Sequence, residues 1–318
     1  MSARVIVLAP AQPADARQAQ ELGRLLARAD HQAHSQADGD SLYGDLFPIP
    51  GQTLPAAALS RQADAGDAGR HAWLRADPAL FRLEPGSVRL MRCGDLDQNP
   101  DEVRQLLASL APLFGDEGFE LSAPQPQRWY LRPFATGAEP DLPSLPPPDQ
   151  ALGGDLFELW PEDDLHRRWR VMFGQVQITL AAHPVNQARA AAGKSPINGV
   201  WFWGAGRHPG HIQAGVDTVV SNDHLLRALA EAAKARCLES AAALAAAAGP
   251  PPSGQPDDAG PPMHSLLLDL RHPDSVGSGL DWLLQRWQAG GLNSLEWRSP
   301  SGRWQLKRWH RWRVWRRA

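Results

Sequence analysis

The 318 residues carry a formal net charge of −3, with 43% apolar and 21% charged residues, ordinary values for a globular protein of two domains or one elaborated one. No run approaches the roughly 18 apolar residues of a membrane span, and no basic start leads into an apolar stretch and a small-residue cleavage site. A membrane-spanning or exported protein is disfavoured, two cysteines (Cys93 and Cys237) are too few for a disulfide framework or a thiolate metal site, and the cytoplasm is the expected location.

Residues 3–10 (ARVIVLAP) predict a first strand and 14–30 an amphipathic helix, a β–α start. Residues 31–71 mix Gly, Pro, Asp and Gln with short apolar patches and predict loops with one short helix. The stretch 71–93 predicts two or three strands around Glu84-Pro85-Gly86, 99–118 a helix capped by Asn99 with Pro100 at its first position, and 119–134 a hairpin. Strand, helix and strand in that rhythm predict a compact α+β subdomain. A Pro-rich surface loop at 138–150 precedes a long helix over 161–186, opened by Pro161 and striped by Leu165, Trp169, Met172, Val176 and Leu180. An apolar strand at 198–206 runs into a Gly turn, and 224–248 is helical until the linker GPPPSGQPDDAGPP (249–262). A buried strand at 264–273 and a helix at 278–291, closed by Gly290 and Gly291, complete the pattern.

Residues 303–318 (RWQLKRWHRWRVWRRA) hold seven cations and no acid, so the remainder carries −10. Four of the chain's 13 tryptophans lie there. LNSLEW (292–297), the turn RSPSG and RWQLKRW (303–309) predict a hairpin whose tryptophans face a core, followed by a short helix docking Trp309, Trp312 and Trp315. A protein partner is the second reading of this Trp/Arg-rich C-terminal tail, and nucleic acid or an anionic lipid surface the least favoured.

The densest group of chemistry-bearing residues is HPVNQARAAAGKSPINGVWFWGAGRHPGH (183–211). Asn186 and Asn198 can hold turns, and Gly193, Gly204 and Gly206 let the backbone turn or approach a neighbour. Amides of the Gly204-Ala205-Gly206-Arg207 turn, with Arg207 and Arg189, suit a phosphate or carboxylate. The candidate ligand site is therefore Gly204, Gly206 and Arg207, with His183, Asn186, Arg189 and Asn198 around it. Purely structural roles for the same residues are the other reading.

His208, His211, His224, His272, Asp217, Asp223 and Asp269 are residue types that zinc or manganese takes, but their spacing fits no ligand frame and no metal site is expected. No GxSxG elbow occurs. Neither GxGxxG nor GxxxxGK[ST] is present, which argues against dinucleotide and nucleoside triphosphate sites, and no cofactor is expected.

HPVN–x2–R–x3–G–x2–P–x–N followed by WxWGAGR resembles the archaeal-type cofactor-independent phosphoglycerate mutases, and WLRADP (73–78), the 99–118 helix and RWYLRP (128–133) are similar to their inserted subdomain. The same landmarks resemble, more closely, a bacterial family of RpfE-type regulatory proteins, over residues 55–230. The resemblance implies an alkaline-phosphatase-like α/β fold: a mostly parallel sheet using strands near 4–8, 198–203 and 264–270, with an inserted α+β subdomain. It places the main domain at 1–70 and 198–318 and the insertion, with its connecting helix, at 71–197. The mutase reaction implied needs two divalent metals on Asp and His and a phosphorylated Ser. Here the first strand ends in Ala9-Pro10-Ala11 without an Asp, Asp223-His224 stands too early for the family's Asp-His segment, and Trp203 replaces the turn arginine. The resemblance thus implies a mutase-like regulatory or ligand-sensing protein without its metals; an active mutase or phosphatase with rearranged ligands is the alternative.

Overall fold

A computed structural model describes residues 3–9, 16–33, 44–49, 53–134, 141–248 and 264–312. The linker at 249–262 and Trp315 lie outside these. Two compact units emerge, one built from 1–50 and 210–318 and the other from 51–209, where the sequence reading set its boundaries at 70/71 and 197/198.

The chain enters the first unit with β1 (Ala3–Leu8), α1 (Ala16–Leu26) and β2 (Asp30–Gln32). The second unit runs through α2 (Ala56–Ala65), β3 (Ala72–Glu84), β4 (Ser87–Cys93), α3 (Pro100–Asp116), β5 (Phe119–Gln125), β6 (Arg128–Pro133), α4 (Pro148–Ala151), α5 (Leu156–Leu159), α6 (Asp164–Ala181), α7 (Pro184–Ala191) and β7 (Gly199–Arg207). The first unit resumes with β8 (Thr218–Val220), α8 (His224–Ala232), β9 (Arg236–Leu238), α9 (Ala241–Ala248), β10 (Ser265–Asp269), α10 (Pro273–Gln288), β11 (Leu292–Ser299) and β12 (Gly302–Lys307), then a 3-10 turn at Arg308–Trp312.

The first unit is a mixed α/β layer structure around a seven-stranded sheet of order β2-β12-β11-β1-β10-β8-β9. The five strands from β11 to β9 run parallel, and β12 and β2 close one side antiparallel. Strand periodicity divides its faces. Val5, Val7, Leu266, Leu268, Leu295 and Trp297 pack with Leu22 of α1 and Leu280 and Leu283 of α10. The opposite face carries Ile6, Leu267 and Val219, also buried, and ends in polar residues.

In the second unit β3 is the central strand, antiparallel to β4, β6 and β7. An aromatic core fills it: Trp169 lies 4.9 Å from Phe202, and Trp160 lies 6.1 Å from Phe173 and 6.5 Å from Trp201 between ring centroids. The capping box read from Asn99 is present, with Asn99 Oδ1 accepting from the Asp101 and Glu102 amides and Glu102 Oε2 accepting from the Asn99 amide at 2.9 Å each.

Four sequence expectations are corrected. The 198–206 strand does not join the parallel sheet; β7 pairs antiparallel with β3 from Ala72 to Ala79, because its apolar side chains belong to the aromatic core beside α6. The long 161–186 helix is two helices, α6 starting at Asp164 under an Asp163 cap and α7 starting at Pro184, whose ring cannot continue α6. The 224–248 helix breaks at Lys234, left-handed at φ 55°, where the Lys234 and Ala235 amides turn back to Glu231 and Ala230 and release β9 to pair with β8. Trp309 and Trp312 do not dock into a core: they are 56% and 67% exposed.

Candidate functional site

The WLRADP and RWYLRP segments meet on the β3–β6 ladder, where Arg75 faces Tyr130. Residues two apart on a strand share a face, so Arg75 and Asp77 lie side by side. Arg75 Nε and Nη2 donate to the two Asp77 oxygens at 2.8 Å, and Nη1 donates to Ser60 Oγ at 3.0 Å. Asp77 also accepts from Trp203 Nε1 at 2.7 Å and from the Trp129 amide at 3.3 Å. The guanidinium lies over the rings of Tyr130 and Trp203, 5.2 and 5.1 Å from their centroids. Burial raises the Asp77 carboxyl above its usual range, against the pull of Arg75. Beside this pair Asp64 takes both arms of Arg128 and the hydroxyl of Tyr130, at 2.6 to 2.7 Å. Burial also pushes the Tyr130 phenol well up, so it is a neutral donor. The network holds a cation and a carboxylate out of water with every arm assigned, which suits a rigid frame.

The seven residues selected from sequence divide between the two ends of β7. At its start Asn186 donates to the carbonyls of Leu180 and Ile197 at 2.8 Å and accepts from the Ile197 amide at 2.9 Å. Asn198 exchanges hydrogen bonds with both backbone groups of Phe81. Arg189 is fully buried, donating to Ser195 O and Glu102 Oε2 at 2.9 Å and to Leu96 O at 2.5 Å. His183 caps α7: Nδ1 accepts from the Val185 amide at 3.2 Å, leaving Nε2–H to donate to Ser109 Oγ at 3.0 Å. These four thus tie down backbone. Gly204, Gly206 and Arg207 stand at the far end, separated by about 3.3 Å per residue of strand. Gly204 has φ 67°, and a Cβ there would sit 2.8 Å from Ala56 Cβ. The exposed Arg207 donates from Nη1 to Arg70 O.

The carboxyl edge of the first unit's parallel strands gathers residues that the sequence offered only singly. Asp269 ends β10 in register with Leu8 of β1, and Ser221 follows β8. Ser221 Oγ donates to Asp269 Oδ2 at 2.7 Å and accepts from the Asp223 amide at 2.9 Å. Arg271 Nε and Nη2 donate to the two Asp269 oxygens at 2.9 and 2.8 Å, and Nη2 lies 3.7 Å from Asp223. Burial raises the Asp269 carboxyl, but Arg271 and Ser221 outweigh it and hold it below its usual range. Asp223 caps α8 through the Leu226 amide.

The remaining metal-type residues are dispersed. Asp217 lies at the amino end of β8, taken by the Ser265 amide and hydroxyl at 2.9 and 3.0 Å. His211 is exposed, His208 belongs to the second unit, and His272 precedes α10. Among the described residues no three His, Cys, Asp or Glu side chains group closely enough to hold a metal ion, and no helix is long and apolar enough to cross a membrane. Sequence reasoning passed over Ser60, Asp64, Ser221 and Arg271. The available signal was the oppositely charged pair at i and i+2 in Arg75-x-Asp77 and Asp269-x-Arg271.

No family model matches the chain. Over 161 residues it is 27% identical to the 2,3-bisphosphoglycerate-independent phosphoglycerate mutase of Methanosarcina barkeri, a match covering 49% of this chain and 39% of that enzyme. The chain thus spans well under half the length of the curated relative it matches, and the homology is distant. Among solved structures it is similar to the cofactor-independent phosphoglycerate mutase of Thermoplasma acidophilum, at 13% identity and a TM-score of 0.41 over 96% of this chain and 90% of that one. It is also similar to the PH0037 protein of Pyrococcus horikoshii, at 13% identity and a TM-score of 0.44 over 93% and 81%.

Proposed function

We propose that this protein is a phosphoglycerate-mutase-like regulatory protein of the RpfE type, on an alkaline-phosphatase-like scaffold. In this reading it senses a phosphate- or carboxylate-bearing small molecule and moves no phosphoryl group. The observation that supports it is the Asp269–Arg271 pair at the carboxyl edge of the parallel sheet, where α/β folds place their ligands. Arg271 sets a fixed positive charge on both oxygens of Asp269 and within 3.7 Å of Asp223. Two divalent cations do not fit this edge, since either would have to displace a guanidinium that already neutralises the carboxylate. The Ser221 hydroxyl, 2% exposed and committed to Asp269 and the Asp223 amide, is likewise engaged as a brace.

For the ligand, Arg207 is the exposed cation among the residues selected from sequence; it ends β7, and Gly204 and Gly206 lie in that strand, paired toward β3, and not in the turn expected from sequence. His183, Asn186, Arg189 and Asn198 serve as its scaffold. One experiment separates the readings: manganese binding by calorimetry with a 3-phosphoglycerate to 2-phosphoglycerate assay on the same preparation. The regulatory reading expects neither tight stoichiometric manganese nor turnover; both together would restore the enzyme. An Arg207→Ala variant should lose affinity for 3-phosphoglycerate with its melting temperature unchanged.

A further inference from the structure

The 3-10 turn at Arg308–Trp312 is built to present one side outward. His310 is fully buried, its Nε2 3.6 Å from Asp30 of β2, and its ring meets Trp309 edge-on at 4.1 Å between centroids. Residues three apart in a 3-10 turn eclipse one another, so the inward anchor at His310 leaves Trp309 and Trp312 on a common outer side, 56% and 67% exposed. Lys307 and Arg308, immediately before them, are exposed as well. The sequence that follows adds Arg311, Arg313, Arg316, Arg317 and Trp315 without an acid, whereas Arg303 is paired with Asp45 and Glu296 and Trp304 packs on His31.

Large exposed aromatic side chains next to exposed cations in the sequence are costly to leave in water. Their chemistry suits an anionic lipid surface. Indole rings seat themselves at the boundary between headgroup and acyl chain, and Lys and Arg meet lipid phosphates while their stems lie along the apolar surface. A planar anionic surface can take both tryptophans and their cations at once. A single nucleic-acid strand would use such rings one base at a time along a groove, whereas the turn presents an outward side.

We propose that the Trp309–Trp312 turn, with its flanking cations, is a peripheral docking surface for an anionic phospholipid membrane. The contact is interfacial and involves no spanning segment. Charge supplies the attraction and the two indoles supply the depth, so binding requires both.

The test is co-sedimentation of the full chain with vesicles of phosphatidylglycerol and phosphatidylcholine in equal parts, and with vesicles of phosphatidylcholine alone. Binding should favour the anionic vesicles and weaken with added salt. Trp309→Ala with Trp312→Ala should reduce it by about tenfold or more at an unchanged melting temperature. Lys307→Gln with Arg308→Gln, which leaves the aromatic side intact, should weaken it and flatten its salt dependence. Absence of binding by the parent chain, equal binding to neutral vesicles, or unaltered binding by either double variant overturns the proposal. So does a single-stranded oligonucleotide that binds more tightly than the vesicles and displaces them.

Discussion

Arg75 and Asp77 stand two residues apart on β3 and pair with each other in the buried centre of the second unit, 5% and 2% exposed. The same arrangement recurs twice in the first unit. Arg271 grips Asp269 past the end of β10, and on β11 Arg298 donates to Glu296 at 2.8 Å while Asp45 takes its other arms. On β3 and β11 the two-residue period of an extended chain puts the pair on one side of its strand. A charge buried this way brings its own counter-charge.

Replacing Asp77 by Ala leaves the Arg75 guanidinium buried without a counter-charge and removes the acceptor of Trp203. The expected loss is about 3–5 kcal/mol of unfolding free energy, measured by urea titration. Arg75→Met combined with Asp77→Leu should cost less than the sum of its single changes, and a double-mutant cycle that came out additive would deny the coupling.

Arg189 serves three elements: Ser195 after α7, Leu96 before α3, and Glu102, whose carboxylate also caps α3. A lysine cannot reproduce that planar fork, so Arg189→Lys should lower stability by about 2–4 kcal/mol. Hydrogen exchange should show the first turn of α3 losing protection with it. Affinity for 3-phosphoglycerate in the folded variant should stay at the parent value.

Gly204 and Gly193 both have left-handed backbone, φ 67° and 70°, yet differ in surroundings. An added methyl at Gly193 meets nothing within 4 Å, whereas at Gly204 it meets Ala56 Cβ at 2.8 Å and the Ala57 amide nitrogen at 3.2 Å. Gly193→Ala should cost about 1 kcal/mol for backbone strain, and Gly204→Ala about 1–3 kcal/mol more for the collision. Paired thermal melts read the difference.

Asp269 gives a pH signature. Its folded carboxyl is held below its usual range, so it contributes stability that is full above the unfolded value and is lost as pH falls through the folded one. In Arg271→Ala the strongest lowering partner is gone, so this stabilisation at higher pH should shrink. The stability difference between parent and variant should widen from pH 3 to pH 7 in urea titrations, and a constant difference would remove Arg271 from this role.

Local chemistry made parts of this fold legible in the sequence. The Asn99 cap, the β3–β4 turn, the strands at 3–8 and 265–269 and the hairpin at 292–307 follow from turn residues, caps and two-residue alternation, which act over a few neighbours. The distant relation to cofactor-independent phosphoglycerate mutases was legible too, since motif order survives in the chain itself. Tertiary structure alone decided which sheet received the 198–206 strand, because an apolar strand fits either and its partner lies over 100 residues upstream at 72–79. It alone set Asn186, Arg189 and Asn198 to holding backbone, since a polar side chain's role depends on which carbonyls the fold leaves unpaired beside it. It also brought Ser221 to Asp269, 48 residues apart, through two neighbouring parallel strands. And it left Trp309 and Trp312 outside: the hydrophobic spacing was present in the sequence, but the buried position of that turn went to His310.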